Sequence, residues 1–133
     1  MTERIDLGTV SQMVAKVDQH EPEFFNLIFT DESGEKESIR ASRDAAKSLW
    51  SHLTGILYPR AAMQIATGTS TVKRDKEDVP PDVSYMSVAY INEEDPETVI
   101  ISCTSREVMW TIRMSHENAD DLWASLEDKL DQV

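Results

Sequence analysis

Cysteine and long apolar runs are scarce in this chain, and each scarcity removes a class of protein. Cys103 is the only cysteine, so no disulfide can form within the chain and a disulfide-stapled secreted scaffold is excluded. No apolar stretch approaches the roughly 20 residues that a membrane-spanning helix needs. The opening residues also lack the basic and apolar stretches of a signal peptide. We therefore expect a cytoplasmic protein that does not bind membranes.

Basic residues are few as well: 13 Lys and Arg stand against 25 Asp and Glu, for a formal net charge of -12. A field of this sign repels nucleic-acid backbones and anionic lipid surfaces unless the basic residues cluster. The main local concentration, residues 73–78, alternates in sign as solvated loops do. Nucleic acid is therefore not the partner we expect. The charge balance agrees equally with a solvated acidic surface and with attraction to a basic partner.

The clearest feature that is present is an internal repeat with an offset of about 73 residues. Ile39-Arg40 recurs as Ile112-Arg113. Each copy continues with Ala, Leu, Trp, Leu and Leu at the same spacing, which are Ala46, Leu49, Trp50, Leu53 and Leu57 in the first copy and Ala119, Leu122, Trp123, Leu126 and Leu130 in the second. We predict that an ancestral segment was duplicated, giving one domain (1–133) of two repeats, approximately 1–58 and 62–133.

Each repeat has the composition of several strands followed by a helix. Ser42 and Ser115 are predicted N-caps, each with an acidic residue in the next turn. Pro59 should end the first helix near Tyr58, and the second should run to Glu127 or beyond. The predicted strands are 10–17 (which alone has helical spacing too), 24–30, 37–41, 62–73, 83–91, 97–103 and 107–114, with a short leading strand near 5–7 and a polar loop at 75–82.

This pattern predicts an α+β fold: an internally duplicated ββ(β)βα unit, with two helices packed on one face of an antiparallel sheet or of two adjoining sheets. Trp50 and Trp123 are predicted core residues. The strands around Leu27-Ile28 and Ile100-Ile101 are apolar at consecutive positions, whereas a strand with one wet face should alternate. We therefore expect both faces of these strands to be covered, by the other repeat, a second subunit or a partner.

Catalytic and metal-binding motifs are missing. His20, His52 and His116 have no zinc-ligand spacing, and a single cysteine cannot form a Cys-x-x-Cys site. Cys103 is expected to be a small buried hydrophobe, and His52 and His116 to be solvated. The chain contains no nucleophile elbow, phosphate loop or dinucleotide fingerprint. We therefore predict no catalytic residues, no metal, no cofactor and no enzyme activity.

Three residues are candidates for binding. Arg40 and Arg113 each follow an isoleucine on a strand, so alternation places both on the sheet face opposite the helices. There they would either receive carboxylates or phosphates from a ligand, or form cross-strand ion pairs. Trp110 has Glu37 as its counterpart and could be a contact residue, although alternation places it beside Ile112 and favours the core.

The leading functional hypothesis is a non-catalytic protein-interaction or regulatory module that forms a homo-oligomer. The duplicated ββββα architecture also resembles the Whirly, PUR-repeat and PC4-like families, which implies single-stranded nucleic-acid binding, but no residue motif of those families is present. A small acidic secretion-type chaperone is another alternative, and its helix-first order requires residues 10–17 to be helical. A small-ligand enzyme with its site between the repeats is the fourth.

Overall fold

A computed structural model of the protein describes residues 3–59 and 79–131. These residues form seven strands and two helices in the order β1 (Glu3–Thr9), β2 (Gln12–Val17), β3 (Phe24–Thr30), β4 (Lys36–Ser42), α1 (Arg43–Leu57), β5 (Met86–Ile91), β6 (Thr98–Thr104), β7 (Val108–Ser115) and α2 (His116–Asp131). The predicted α+β class is confirmed. The predicted strand at 62–73 and much of the loop at 75–82 lie outside the described residues. Neither helix has the length and apolar character needed to cross a membrane.

The strands form two sheets. One has three antiparallel strands in the order β2-β3-β4, and the other has four in the order β1-β7-β6-β5. The pair of β1 and β7 is parallel, and all other strand pairs are antiparallel. The predicted leading strand, β1, belongs to the first half of the chain (residues 3–59). It joins the sheet formed by the strands of the second half (residues 79–131), a pairing that the alternation of the sequence does not predict.

The segment before β5 makes the reciprocal crossing. The N–H of Ser84 donates to the Arg40 carbonyl, and the Ser84 carbonyl accepts from the N–H of Ser42, both at 2.8 Å. These bonds join the start of the second half to β4, an edge strand of the first-half sheet. The two halves are thus connected at both sheets by their leading segments.

Each helix also packs on the sheet of the opposite half: α1 lies against β5 and α2 against β2. Their side chains bond to the edges of those strands. Ser125 Oγ accepts from the N–H of Ala15 at 2.8 Å, and His52 Nδ1 accepts from the N–H of Ala89 at 3.4 Å. The expectation of a solvated His52 is therefore wrong, because this imidazole is only partly exposed and bonded to a strand.

The helix starts agree with the sequence. Ser42 Oγ accepts from the N–H of Ala45 at 3.1 Å, and Ser115 Oγ accepts from the N–H of Asn118 at 3.2 Å. Each hydroxyl satisfies one of the N–H groups that a helix N-terminus leaves without a partner. The two halves share the order of three strands and a helix, while their common origin and the division into repeats stay predictions.

The larger of two buried hydrophobic clusters connects both sheets and both helices, and includes Phe25, Leu49, Ile101 and Leu122. Trp50 and Trp123 pack against this core but are only partly buried. The outer faces of the sheets are also partly exposed. In β3, for example, Leu27 is fully buried whereas the adjacent Ile28 retains exposure. The sequence predicts that β3 and β6 are covered on both faces. In the described parts of the chain, each is fully buried on one face and partly exposed on the other.

Candidate functional site

The outer face of the four-stranded sheet carries an apolar row. Strand pairing places Tyr90 of β5 beside Ile100 of β6, and Ile100 beside Arg113 of β7. These side chains lie on the outer face of the sheet, whereas Ile101 and Ile112 are fully buried on its inner face. Tyr90 is 48% exposed, which makes it the most exposed large hydrophobic residue in the described ranges. We call Tyr90, Ile100 and Arg113 the apolar row.

The corresponding row of the three-stranded sheet is polar. Lys16 of β2 pairs with Asn26 of β3, which pairs with Arg40 of β4. The repeat predicted from the sequence aligns these residues with Tyr90, Ile100 and Arg113, respectively. We call Lys16, Asn26 and Arg40 the polar row. At two aligned positions, the four-stranded sheet thus carries a tyrosine and an isoleucine, whereas the three-stranded sheet carries a lysine and an asparagine.

Arg40 is held by carboxylates of its own chain. Its Nη2 lies 3.3 Å from Asp18 Oδ2, and its Nη1 lies 3.8 Å from Glu21 Oε1. Asp18 is 4% exposed and also accepts from the backbone N–H groups of His20 and Glu21 and from Asn26 Nδ2. The backbone N–H groups, then the Arg40 charge and Asn26, hold the pKa of Asp18 below its usual value. A cavity of about 420 Å³ lies beside this network.

Arg113 makes a more open ion pair. Its Nη1 lies 3.1 Å from Oδ2 of Asp6, whose side chain is 60% exposed. The backbone N–H of Gly8 and the Arg113 guanidinium lower the pKa of Asp6. Both arginines lie on the faces opposite Ile39 and Ile112, but in different sheets. The structure therefore does not bring Arg40 and Arg113 together as a two-arginine site.

Trp110 lies on the core side of β7. It pairs with the fully buried Cys103 of β6 and packs, partly exposed, against the core. Arg113, three positions along the same strand, projects from the opposite face. The three candidate residues Arg40, Arg113 and Trp110 thus occupy three separate places.

The side chains of Cys103 and His116 contact other groups of the protein. Burial raises the pKa of the Cys103 thiol to about 11, which disfavours the thiolate that nucleophilic chemistry needs. His116 Nε2 lies 3.0 Å from the Pro96 carbonyl oxygen, so this side chain is not simply solvated as expected. Over residues 3–59 and 79–131, no group of three or more His, Cys, Asp or Glu side chains is arranged to hold a metal ion.

The contact between α1 and α2 contains a polar and aromatic cluster around Trp123. Its Nε1 donates to Thr54 Oγ1 at 2.8 Å. The ring of Tyr58 packs on the indole with centroids 4.6 Å apart and a tilt of 48°. The Tyr58 hydroxyl donates to Asp120 Oδ1 at 2.5 Å, a bond that raises the pKa of the phenol. We call Thr54, Tyr58, Asp120 and Trp123 the filled site.

The repeat-equivalent place around Trp50 is open. A cavity of about 240 Å³ is lined by Arg43, Lys47, Trp50, Glu127 and Leu130. Trp50 Nε1 is buried and has no hydrogen-bond partner among the described residues. We call this cavity the open site. The sequence predicts Trp50 in the core and does not predict the open site. The available signal was that Tyr58 aligns with Asp131, so the ring that covers Trp123 has no counterpart in the second repeat.

Comparison of the chain with family models, with curated proteins and with solved structures finds no match.

Proposed function

We propose that this chain is a non-catalytic protein-interaction module that associates with a second copy of itself through the apolar row. The observation that carries the proposal is the difference between the two outer rows. The three-stranded sheet carries Lys16 and Asn26 at the positions that the predicted repeat aligns with Tyr90 and Ile100. The exposed Tyr90 and the partly exposed Ile100 are therefore not demanded by the fold, and a contact surface explains them.

The composition of the apolar row supports a protein contact. Tyrosine and arginine are enriched at protein interfaces, and a large aromatic side chain contributes most when a partner removes it from water. Tyr90 offers an exposed ring, Ile100 adds aliphatic surface, and Arg113 adds a planar group that can stack on aromatic rings.

The choice of a second copy follows from charge. The chain has a net charge of -12, so two copies repel each other over most of their surfaces. At the apolar row the Arg113 charge is offset by Asp6 at 3.1 Å, so this patch adds no net charge to a contact between two copies. A two-fold contact also lets the Arg113 and Asp6 of one copy exchange partners with those of the other.

The other hypotheses draw less support from these observations. Arg40, the main cation of the polar row, is already bonded to Asp18 and Glu21, whereas single-strand binders present basic grooves with stacking aromatics. Residues 12–17 form a strand, so the condition for the secretion-chaperone order is not met. A cytoplasmic location is part of the proposal and is supported by the unpaired, buried Cys103.

The test is size-exclusion chromatography with light scattering over a wide range of protein concentration. The variant Tyr90→Lys with Ile100→Asn copies the polar row onto the four-stranded sheet, so it should fold normally. We expect the wild type to form dimers, and we expect the double variant to weaken dimerisation at least ~10-fold. Gln12→Lys, on the outer face of the three-stranded sheet, is the control for added charge and should dimerise like the wild type.

A wild type that remains monomeric at the highest concentration would overturn the proposal. So would a double variant that has a native circular dichroism spectrum and dimerises as well as the wild type.

A further inference from the structure

The filled site shows which groups pack around a tryptophan at the contact between α1 and α2. Around Trp123 an aromatic ring lies on the indole, and the polar end of that ring bonds to a charged side chain, Asp120. The indole N–H is satisfied by Thr54. A phenol supplied by Tyr58 therefore completes this place from within the chain.

The open site lacks these partners. Trp50 Nε1 is a buried donor without an acceptor in residues 3–59 and 79–131, and a buried donor left unsatisfied lowers the stability of the folded protein. Such groups are rare in native structures and commonly mark a missing water, ion or ligand. The indole adjoins a cavity of about 240 Å³, which gives a ligand room to enter.

The charges around the open site differ from those of the filled site. Lys47 stands at the position equivalent to Asp120, and Arg43 stands one helical turn before it on α1. None of the ion pairs formed within the described ranges involves Lys47. The polar end of a group seated on Trp50 should therefore be an anion rather than a neutral hydroxyl. Glu127, in the place of Thr54, accepts a hydrogen bond and favours a ligand that also carries a donor.

The volume limits the ligand to one ring. Pockets for drug-sized molecules span about 300–1,000 Å³, and the open site is smaller, at about 240 Å³. From the size, the orphan donor and the charges, we infer that the open site binds a small hydroxylated aromatic carboxylate. The ring lies against Leu130 and the edge of Trp50, and the carboxylate pairs with the Lys47 and Arg43 side. The hydroxyl oxygen accepts from Trp50 Nε1, and its hydrogen donates to Glu127.

The experiment uses the full-length, ¹⁵N-labelled protein with 4-hydroxybenzoate as the probe. The chain has three tryptophans, so the three indole N–H resonances report on three places at once. We expect saturable shifts of the Trp50 resonance. Trp123, which is bonded to Thr54, and Trp110, on the core side of β7, should not shift. Benzoate lacks the donor and phenol lacks the carboxylate, so both should bind at least ~10-fold more weakly.

Two variants test the residues. Lys47→Gln should weaken binding at least ~10-fold, because a charge-assisted bond is lost, whereas Asp120→Asn, its counterpart in the filled site, should leave binding unchanged.

Unchanged resonances at high 4-hydroxybenzoate would overturn the inference, and would mean that Glu127 or another part of the chain satisfies the indole. Equal shifts at all three indoles, or equal binding of all three probes, would overturn it as well. This inference is independent of the proposed self-association. The variant with Tyr90→Lys and Ile100→Asn should bind 4-hydroxybenzoate like the wild type, so the two ideas can fail separately.

Discussion

The Asp18 carboxylate bonds both to its own turn and to another strand. It accepts from two backbone N–H groups in the turn that follows β2, and it pairs with Arg40 two strands away. These donors favour the ionised form, so the pKa of Asp18 is lower in the folded protein than in the unfolded chain. The unfolded state consequently takes up the proton at a higher pH than the folded state does.

Asp18→Asn should lower stability at neutral pH and flatten the acid side of the stability profile. The contribution of ionised Asp18 is complete above the unfolded pKa, about 4, and disappears as the pH falls through the lower folded pKa. Thermal melts of both proteins between pH 7 and pH 3 should therefore converge toward the acid end. A constant difference in melting temperature over the whole range would contradict this account.

Cys103 should be inert toward thiol reagents in the folded protein. Its side chain is fully buried, and its pKa of about 11 leaves little thiolate at neutral pH. With a disulfide reagent at pH 8 we expect a negligible reaction in buffer and one thiol per chain in denaturant. A native reaction as fast as that of a free cysteine would show that the β6 strand opens readily.

At the residue scale, the sequence predicts the strand face on which a side chain lies more reliably than the residue that the side chain contacts. Strand alternation correctly places Arg40, Arg113 and Trp110 on their faces. It does not reveal Asp18 as the partner of Arg40, because that contact depends on the conformation of a turn. The open site was missed for a related reason: a tryptophan in an apolar helix stripe has the same pattern whether its N–H is satisfied or not.

The edge strands depend on the helices that border them. The edge of a sheet exposes unpaired backbone groups that can recruit another chain. In β2 and β5 one such N–H is occupied by a helix side chain: that of Ala15 by Ser125, and that of Ala89 by His52. These bonds fix each helix to the strand it packs on.

Ser125→Ala should destabilise the protein by about 1–3 kcal/mol, because the N–H of Ala15 is buried and would lose its acceptor. Urea unfolding measures this loss, and amide exchange at Ala15 should accelerate in the same variant. Ala124→Ser, at the neighbouring exposed position, should change stability by less than about 0.5 kcal/mol. If the two variants were equally stable, the strand-edge bond would have no energetic role.

The helices and strands themselves follow from local chemistry, and their bounds differ from the predictions by a few residues. Capping serines, Pro59 and apolar periodicity determine them. The sequence does not predict which strands share a sheet, because alternation defines the two faces of a strand but not the strands that pair with it. The parallel pairing of β1 with β7 joins residues more than a hundred positions apart, and no local pattern specifies it.

At the scale of the molecule, the halves are stabilised by each other. Fragments 1–59 and 79–133 should each be largely unfolded when separate, because β2 and β5 then lose the helices that cover them. An equimolar mixture should recover a substantial part of the far-ultraviolet circular dichroism of the intact chain. Cooperative thermal unfolding of either fragment in isolation would show instead that a half is an independent folding unit.

The exchange of leading strands also determines when the protein can fold during synthesis. Glu3 pairs with Val108, so the first strand has no neighbour in its sheet until the residues of β7 have left the ribosome. The apolar residues of β2 and β3 are translated long before α2 can shield them. The newborn polypeptide therefore has to remain unaggregated until α2 has been made, and its strongly negative charge helps to keep it in solution during that interval.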